Sequence, residues 1–176
     1  PSYTRIPEIH FMHEARYRGA KFVVIAPDYN ATAVHADTWL NPRVGTDAAL
    51  GLAMAQVLLA EKLHNVEYVR EQTDLPILVR EDTGRYLREA DLRAGGSDGL
   101  LYFWDEASDA LAPVPGSRGE GGRSIALGSL RPALTGRHKV TLANGESIDV
   151  RPMLDGLREH LDANYTPEKS AAITGV

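Results

Sequence analysis

The sequence predicts an α/β fold, and three observations carry that prediction. Residues 22–25 (Phe-Val-Val-Ile) form a short, wholly apolar run that ends in the turn Pro27-Asp28. Gly45-Thr46-Asp47 is a turn followed by a long apolar-striped helical pattern. Asn144-Gly145 sits between two short β-type runs, a strong hairpin signal. A buried strand with loops at its carboxyl end, followed by a helix amino terminus, is the arrangement by which α/β sheets bind nucleotides.

Composition sets the bounds. The 176 residues are enough for one good core with a small appendage. A hydrophobic share of 43% and a charged share of 24% are ordinary for a globular domain. The net charge of −5 is spread along the chain without a basic patch, which argues against a nucleic-acid partner. With no cysteine, these residues cannot build a disulfide or a Cys-ligated zinc or iron–sulfur site. No apolar run reaches the ~18 residues of a membrane helix, so no membrane insertion is expected. The chain starts at Pro1 and stops after a short helical pattern, which reads as a piece cut from something longer.

Each element follows in order. Residues 1–6 read as a loop and 7–17 as a helix, with Pro7 in the first turn and Gly19 as its stop. Ile9, Phe11, Met12 and Ala15 form one broad apolar face. Ser2, Thr4 and Arg5 precede that helix and suit an anion such as a diphosphate; N-capping by Thr4 is the plainer alternative. His10 and His13 share a helix face, but no third ligand is near, so no metal is assigned. Residues 21–25 read as a strand covered on both faces, as in a parallel sheet. A loop over 27–31, a helical turn through Ala36 and a short strand over 38–40 complete a compact β-α-β unit.

The helix from Asp47 to about Leu63 is the strongest in the chain, with Leu50, Met54, Val57, Leu58 and Leu63 as its apolar stripe. Thr46 is a good N-cap and Asp47 suits the positive end of the dipole, which already explains both residues structurally. A second helix over 66–72 follows Asn65 as cap. Residues 75–79 read as an extended edge segment, because Pro76 cannot donate to a ladder. Gly95 to Gly99 is a turn cluster. Residues 100–104 form an aromatic strand, 105–109 its turn and 110–114 a return strand. Residues 113–122 read as a surface loop. Residues 140–142 and 148–150 flank Asn144-Gly145. Pro152 opens a helix to about Leu161, and Thr166-Pro167-Glu168 caps the last one.

The motifs say more than the periodicity. Thr4-Arg-Ile-Pro-Glu-Ile-His-Phe11, Glu14-Ala-Arg-Tyr-Arg-Gly19, Ile25-Ala-Pro-Asp-Tyr-Asn30, Ala36-Asp-Thr-Trp-Leu40, Gly45-Thr-Asp-Ala-Ala-Leu50 and Glu71-Gln-Thr-Asp-Leu-Pro76 occur in this order. Tyr165-Thr-Pro-Glu168 and Ile173-Thr-Gly175 follow near the end. Together they resemble the catalytic subunits of the dimethyl sulfoxide reductase family of molybdopterin oxidoreductases. Within it they are most similar to the branch of nitrate reductase, ethylbenzene dehydrogenase, dimethyl sulfide dehydrogenase and selenate and (per)chlorate reductase.

The resemblance implies a Rossmann-like three-layer segment with a β-hairpin-rich insertion and C-terminal helices. Residues 1–75 would be the guanine-dinucleotide-binding part, 76–150 an irregular β-rich excursion and 151–176 the C-terminal helices. The implied cofactor is molybdenum held by molybdopterin guanine dinucleotide, in the bis form in the parent enzyme, beside a [4Fe-4S] cluster that this segment does not bind. Gly45, Thr46 and Asp47 match the family's guanosine turn, and the Asp47 carboxylate would accept from guanine N1–H and N2–H₂. Pro27, Asp28 and Tyr29 stand where relatives often place Asp-Pro, so Asp28 would make a polar contact one residue late. Ser2, Thr4 and Arg5 would face the diphosphate. No catalytic residue and no molybdenum ligand is identifiable.

Implied partners are the remaining domains of the subunit, an iron–sulfur electron-transfer subunit and a haem b subunit. A periplasmic location is implied, with a cytoplasmic one as the alternative. The competing reading is a stand-alone nucleotide-binding or interaction module without redox activity. Ordinary nicotinamide use is disfavoured, because no Gly-x-Gly-x-x-Gly follows a strand.

Overall fold

The computed structural model describes residues 5–117 and 126–176. Ser2 and Thr4, and part of the loop expected over 113–122, lie outside the described residues. The elements are α1 (Ile6–Tyr17), β1 (Val23–Ile25), β2 (Thr38–Leu40), α2 (Asp47–Ala60), α3 (Val66–Gln72), β3 (Leu78–Arg80), α4 (Glu89–Leu92), β4 (Tyr102–Asp105), β5 (Ala110–Pro113), β6 (His138–Thr141), β7 (Ser147–Pro152), α5 (Met153–Asn164) and α6 (Pro167–Thr174). The α/β class is borne out. The chain forms two compact units: one runs to Leu58 and resumes at Leu161, and the other is Leu59–His160.

In the first unit β1 and β2 pair in parallel, with Val24 opposite Trp39 and Ile25 opposite Leu40. The loop between them makes a short 3₁₀ turn, Ala33–His35. Asn30 organises that turn, since its side-chain oxygen accepts from Thr32 N (2.9 Å) and Ala33 N (3.2 Å). Two expectations fail here. The run over 21–25 reads as covered on both faces, yet Val23 and Ile25 are 58% and 45% exposed. Helix α1 reads as having a buried face, yet none of its residues is buried. Apolar character states a need for cover without naming its source. Among the described residues this sheet holds only two strands.

Helix α2 corrects a third expectation. Its buried residues are Ala53 and Gln56, while Met54, Leu58 and, beyond the helix end at Ala60, Leu63 are exposed. The helix is apolar around most of its circumference, so periodicity could not choose the face. Gln56 is tolerated inside because its Nε2 donates to Asp162 Oδ1 at 2.8 Å.

In the second unit β3, β7 and β6 form an antiparallel sheet in that order, with β3 at the edge as Pro76 predicts. The Asn144-Gly145 hairpin joins β6 to β7, and Gly145 takes φ +85°, a conformation glycine adopts without penalty. Leu78, Leu87, Val140, Leu142, Ile148 and Val150 form its core. Strands β4 and β5 make the expected aromatic hairpin. Its turn is tied by the buried Asp105 carboxylate, which accepts from Ser108 Oγ (2.6 Å) and from Arg131 N (2.7 Å). Those bonds hold Asp105 below the usual carboxylate range, the Ser108 hydroxyl first. Asn65 caps α3 as expected, its Oδ1 accepting from Tyr68 N at 3.0 Å. Leu154 of α5 packs with Val69 of α3 and with Leu134 from the segment before β6.

Candidate functional site

The loops after β1 and β2 leave the same end of a parallel pair, the end at which α/β sheets bind ligands. After β1 the chain runs through Ala26 to Pro27, Asp28 and Tyr29, and those last three residues are exposed. Tyr29 meets Trp39 edge-on, with ring centroids 5.0 Å apart. Trp39 is itself fixed by its indole N–H, which donates to Ala26 O at 3.0 Å. Trp39 therefore braces the loop that carries Asp28, a role that the Ala36-Asp-Thr-Trp-Leu40 motif does not itself reveal.

After β2 the chain turns into α2. Gly45 sits at φ +83° with open space around it. Thr46 N and Thr46 Oγ1 both donate to Arg43 O, at 3.1 and 2.6 Å. The Thr46 hydroxyl thus bonds backward to close the turn, where the sequence suggests a forward cap. Asp47 opens α2 and is exposed. Among the described residues neither Asp28 nor Asp47 has its carboxylate engaged by a hydrogen bond or ion pair. Two solvent-facing carboxylates follow the carboxyl ends of adjacent parallel strands. Each can accept from an N–H donor of a ligand. The residues present fit the nucleotide end of the implied cofactor by this donor–acceptor chemistry.

Arg5 stands just before α1, exposed, with Nη1 3.4 Å from Glu8 Oε1. It is available to an anion through a pair that water screens. At the other end of α1, Arg16 Nη2 lies 3.5 Å from Asp37 Oδ1, and Asp37 Oδ2 accepts from Phe22 N at 2.8 Å. Asp37 thereby ties α1 to the starts of both strands.

His10 and His13 are joined by His35, which sequence spacing did not connect to them. The three border a recess of about 810 Å³ with Glu14, Arg16 and Tyr17. His13 and His35 meet edge-on, ring centroids 4.5 Å apart. Among the described residues no group of three His, Cys, Asp or Glu side chains is placed to hold a metal ion. In the second unit a cleft of about 640 Å³ is lined by Arg80, Arg85, Arg88 and Asp91 among others. Its deepest cation is already matched: Arg80 reaches Asp82 at 2.7 Å and Asp91 at 2.5 Å. No helix among the described residues is long and apolar enough to cross a membrane.

Comparison with known proteins gives the family. The sequence model of one protein family, molybdopterin oxidoreductase, matches residues 3–175. The chain is 44% identical to the perchlorate reductase subunit alpha of Dechloromonas aromatica, over all of this chain and 21% of that protein. It is 44% identical to the dimethylsulfide dehydrogenase subunit alpha of Rhodovulum sulfidophilum, over all of this chain and 19% of that protein. It is 38% identical to the respiratory nitrate reductase subunit alpha of Haloferax mediterranei, over 94% of this chain and 18% of that protein. The chain therefore spans about a fifth of the length of these relatives.

Proposed function

The chain belongs to the molybdopterin oxidoreductase family, and on that premise we propose that it is the molybdopterin guanine dinucleotide-binding segment of a molybdenum oxidoreductase catalytic subunit. One observation carries the reading. Asp47 stands exposed and unengaged among the described residues, on the first turn of α2, directly after a turn closed on Arg43. A carboxylate so placed accepts from guanine N1–H and N2–H₂ as a two-pronged, charge-assisted pair. Burial of the base against it would strengthen those bonds by excluding water.

The other residues take supporting roles. Gly45 and Thr46 shape the turn. Asp28 makes a polar contact to the nucleotide, and Pro27 and Tyr29 shape its loop. Ser2, Thr4 and Arg5 face the diphosphate. Residues 1–75 form the dinucleotide-binding part of a Rossmann-like domain, 76–150 the β-rich excursion and 151–176 the closing helices. When bound, the molybdenum cofactor supplies the redox centre for oxygen-atom transfer or hydroxylation. The residues of this chain bind and orient its far end and do not touch the reacting substrate.

The intact subunit carries the cofactor in its bis form with a [4Fe-4S] cluster from other segments. It works with the remaining domains, an iron–sulfur subunit and a haem b subunit, in the periplasm. Guanine release from the full-length subunit tests the reading. Asp47→Asn should weaken cofactor retention by roughly 1–3 kcal/mol, the size of a lost charge-assisted bond. Unchanged guanine and molybdenum content in that variant would leave Asp47 a helix-start residue and remove the reading's support.

A further inference from the structure

The turn that presents Asp47 is held by the end of the chain. Arg43 N donates to Thr174 O at 2.8 Å. Arg43 Nη1 donates to Ala172 O at 2.7 Å and to Ile173 O at 3.1 Å. One arginine thus takes three consecutive carbonyls at the carboxyl end of α6, across 129 to 131 residues of chain. These carbonyls are the ones a helix leaves without internal partners, and a cation there also matches the negative end of the dipole.

The seat for Arg43 is closely made. Gly175 ends α6 in the left-handed region at φ +81°, with its N–H donating to Ala171 O at 2.8 Å. A Cβ added to Gly175 would stand 3.5 Å from Arg43 Nε, at van der Waals contact. Thr174 is fully buried, and its hydroxyl donates to Ser170 O at 2.8 Å. The far side of Arg43 is its own carbonyl, the acceptor for both Thr46 bonds. A continuous hydrogen-bonded line therefore runs from α6 through Arg43 to Thr46, and Asp47 is the next residue.

We infer that Arg43 is a positioning residue for the guanine site: it fixes the Asp47 turn against the carboxyl end of α6. The site is complete only when α6 has docked. This rests on the reading of Asp47 given above. The competing role for Arg43, a C-cap that only stabilises α6, makes a different forecast for ligand selectivity.

The test uses the full-length subunit prepared without cofactor, titrated with GMP and AMP, beside thermal unfolding of each variant. Asp47→Asn should lose the preference for GMP over AMP. Arg43→Met should lose most of that preference too, with GMP binding weakened about tenfold or more, equivalent to ~1.4 kcal/mol. Arg43→Lys should fall between, because the ammonium keeps the charge but not the position of Nη1 between the two carbonyls. Gly175→Ala, remote in sequence, strains the left-handed end of α6 (φ +81°) and should weaken GMP in the same direction. A lower unfolding temperature with GMP preference intact in Arg43→Met and Arg43→Lys, while Asp47→Asn loses it, would overturn this inference alone. GMP preference retained by Asp47→Asn, or absent in the unaltered subunit, would overturn the reading beneath it.

Discussion

The Asp37 carboxylate accepts the backbone N–H of Phe22 at 2.8 Å, joining the residue before β2 to the residue before β1 across 15 residues of chain. Phe22 O in turn accepts from Asp37 N at 2.8 Å and Thr38 N at 3.1 Å, so the parallel pair is clamped at its start. The Phe22 bond is the main reason that the Asp37 carboxyl lies below its ordinary value of 3.8, with Arg16 and Lys21 adding to it. The folded state holds that proton less tightly than the unfolded chain does. Its stabilisation is complete above the unfolded value and is lost as pH falls through the folded one. Asp37→Ala should lower the unfolding midpoint at neutral pH and flatten the acid limb. Equal pH profiles for the two proteins would show that the clamp contributes nothing.

His138 offers an independent pH probe in the other unit. Its ring stacks on Trp104 with centroids 4.0 Å apart, and burial is the largest cause holding it below 6.5. The folded state thus favours neutral imidazole. Stability from this group is intact above 6.5 and falls as pH drops through the folded value, where the unfolded chain binds the proton more readily. His138→Phe keeps a stacked ring and removes the proton site. Denaturant melts between pH 5 and 8 should show a smaller decline for the variant, with Trp104 emission as the reporter. A parallel decline in both would place the pH sensitivity elsewhere.

Leu154 is fully buried and packs with Val69 and Leu134. Leu154→Ala removes buried methyl groups and leaves a cavity, which costs about 2–5 kcal/mol when the surroundings do not collapse. Urea unfolding should show that loss as a lower midpoint with unchanged slope. A cost below about 1 kcal/mol would mean that this cluster repacks freely.

Local chemistry was legible in the sequence and long-range chemistry was not. The Asn65 cap, the Asn144-Gly145 hairpin and the aromatic β4–β5 hairpin are each written within a few residues, and each forms as expected. The parallel pairing of β1 with β2 follows from their spacing. The buried face of α2 was not legible, because an all-round apolar helix gives periodicity nothing to select. The short helix α4 carries no apolar period and is held by its own polar bonds, Asp91 Oδ2 accepting from Arg88 N at 2.9 Å. The places of Asp28 and Asp47, exposed after β1 and at the start of α2, were legible from motif and position. Trp39 and Arg43 were not, since their partners are Ala26 and the end of α6. The Ile173-Thr-Gly175 motif marked where α6 ends without saying which residue its carbonyls would meet.

In the reading proposed above, the Asp47 carboxylate holds the guanine of a molybdopterin dinucleotide, and an experimental structure of the cofactor-loaded, full-length subunit decides the matter. The expected result is guanine N1 and N2 both at about 2.7–3.1 Å from the Asp47 carboxylate oxygens, the range of charge-assisted hydrogen bonds. A guanine bound elsewhere, with Asp47 left in solvent, would contradict it.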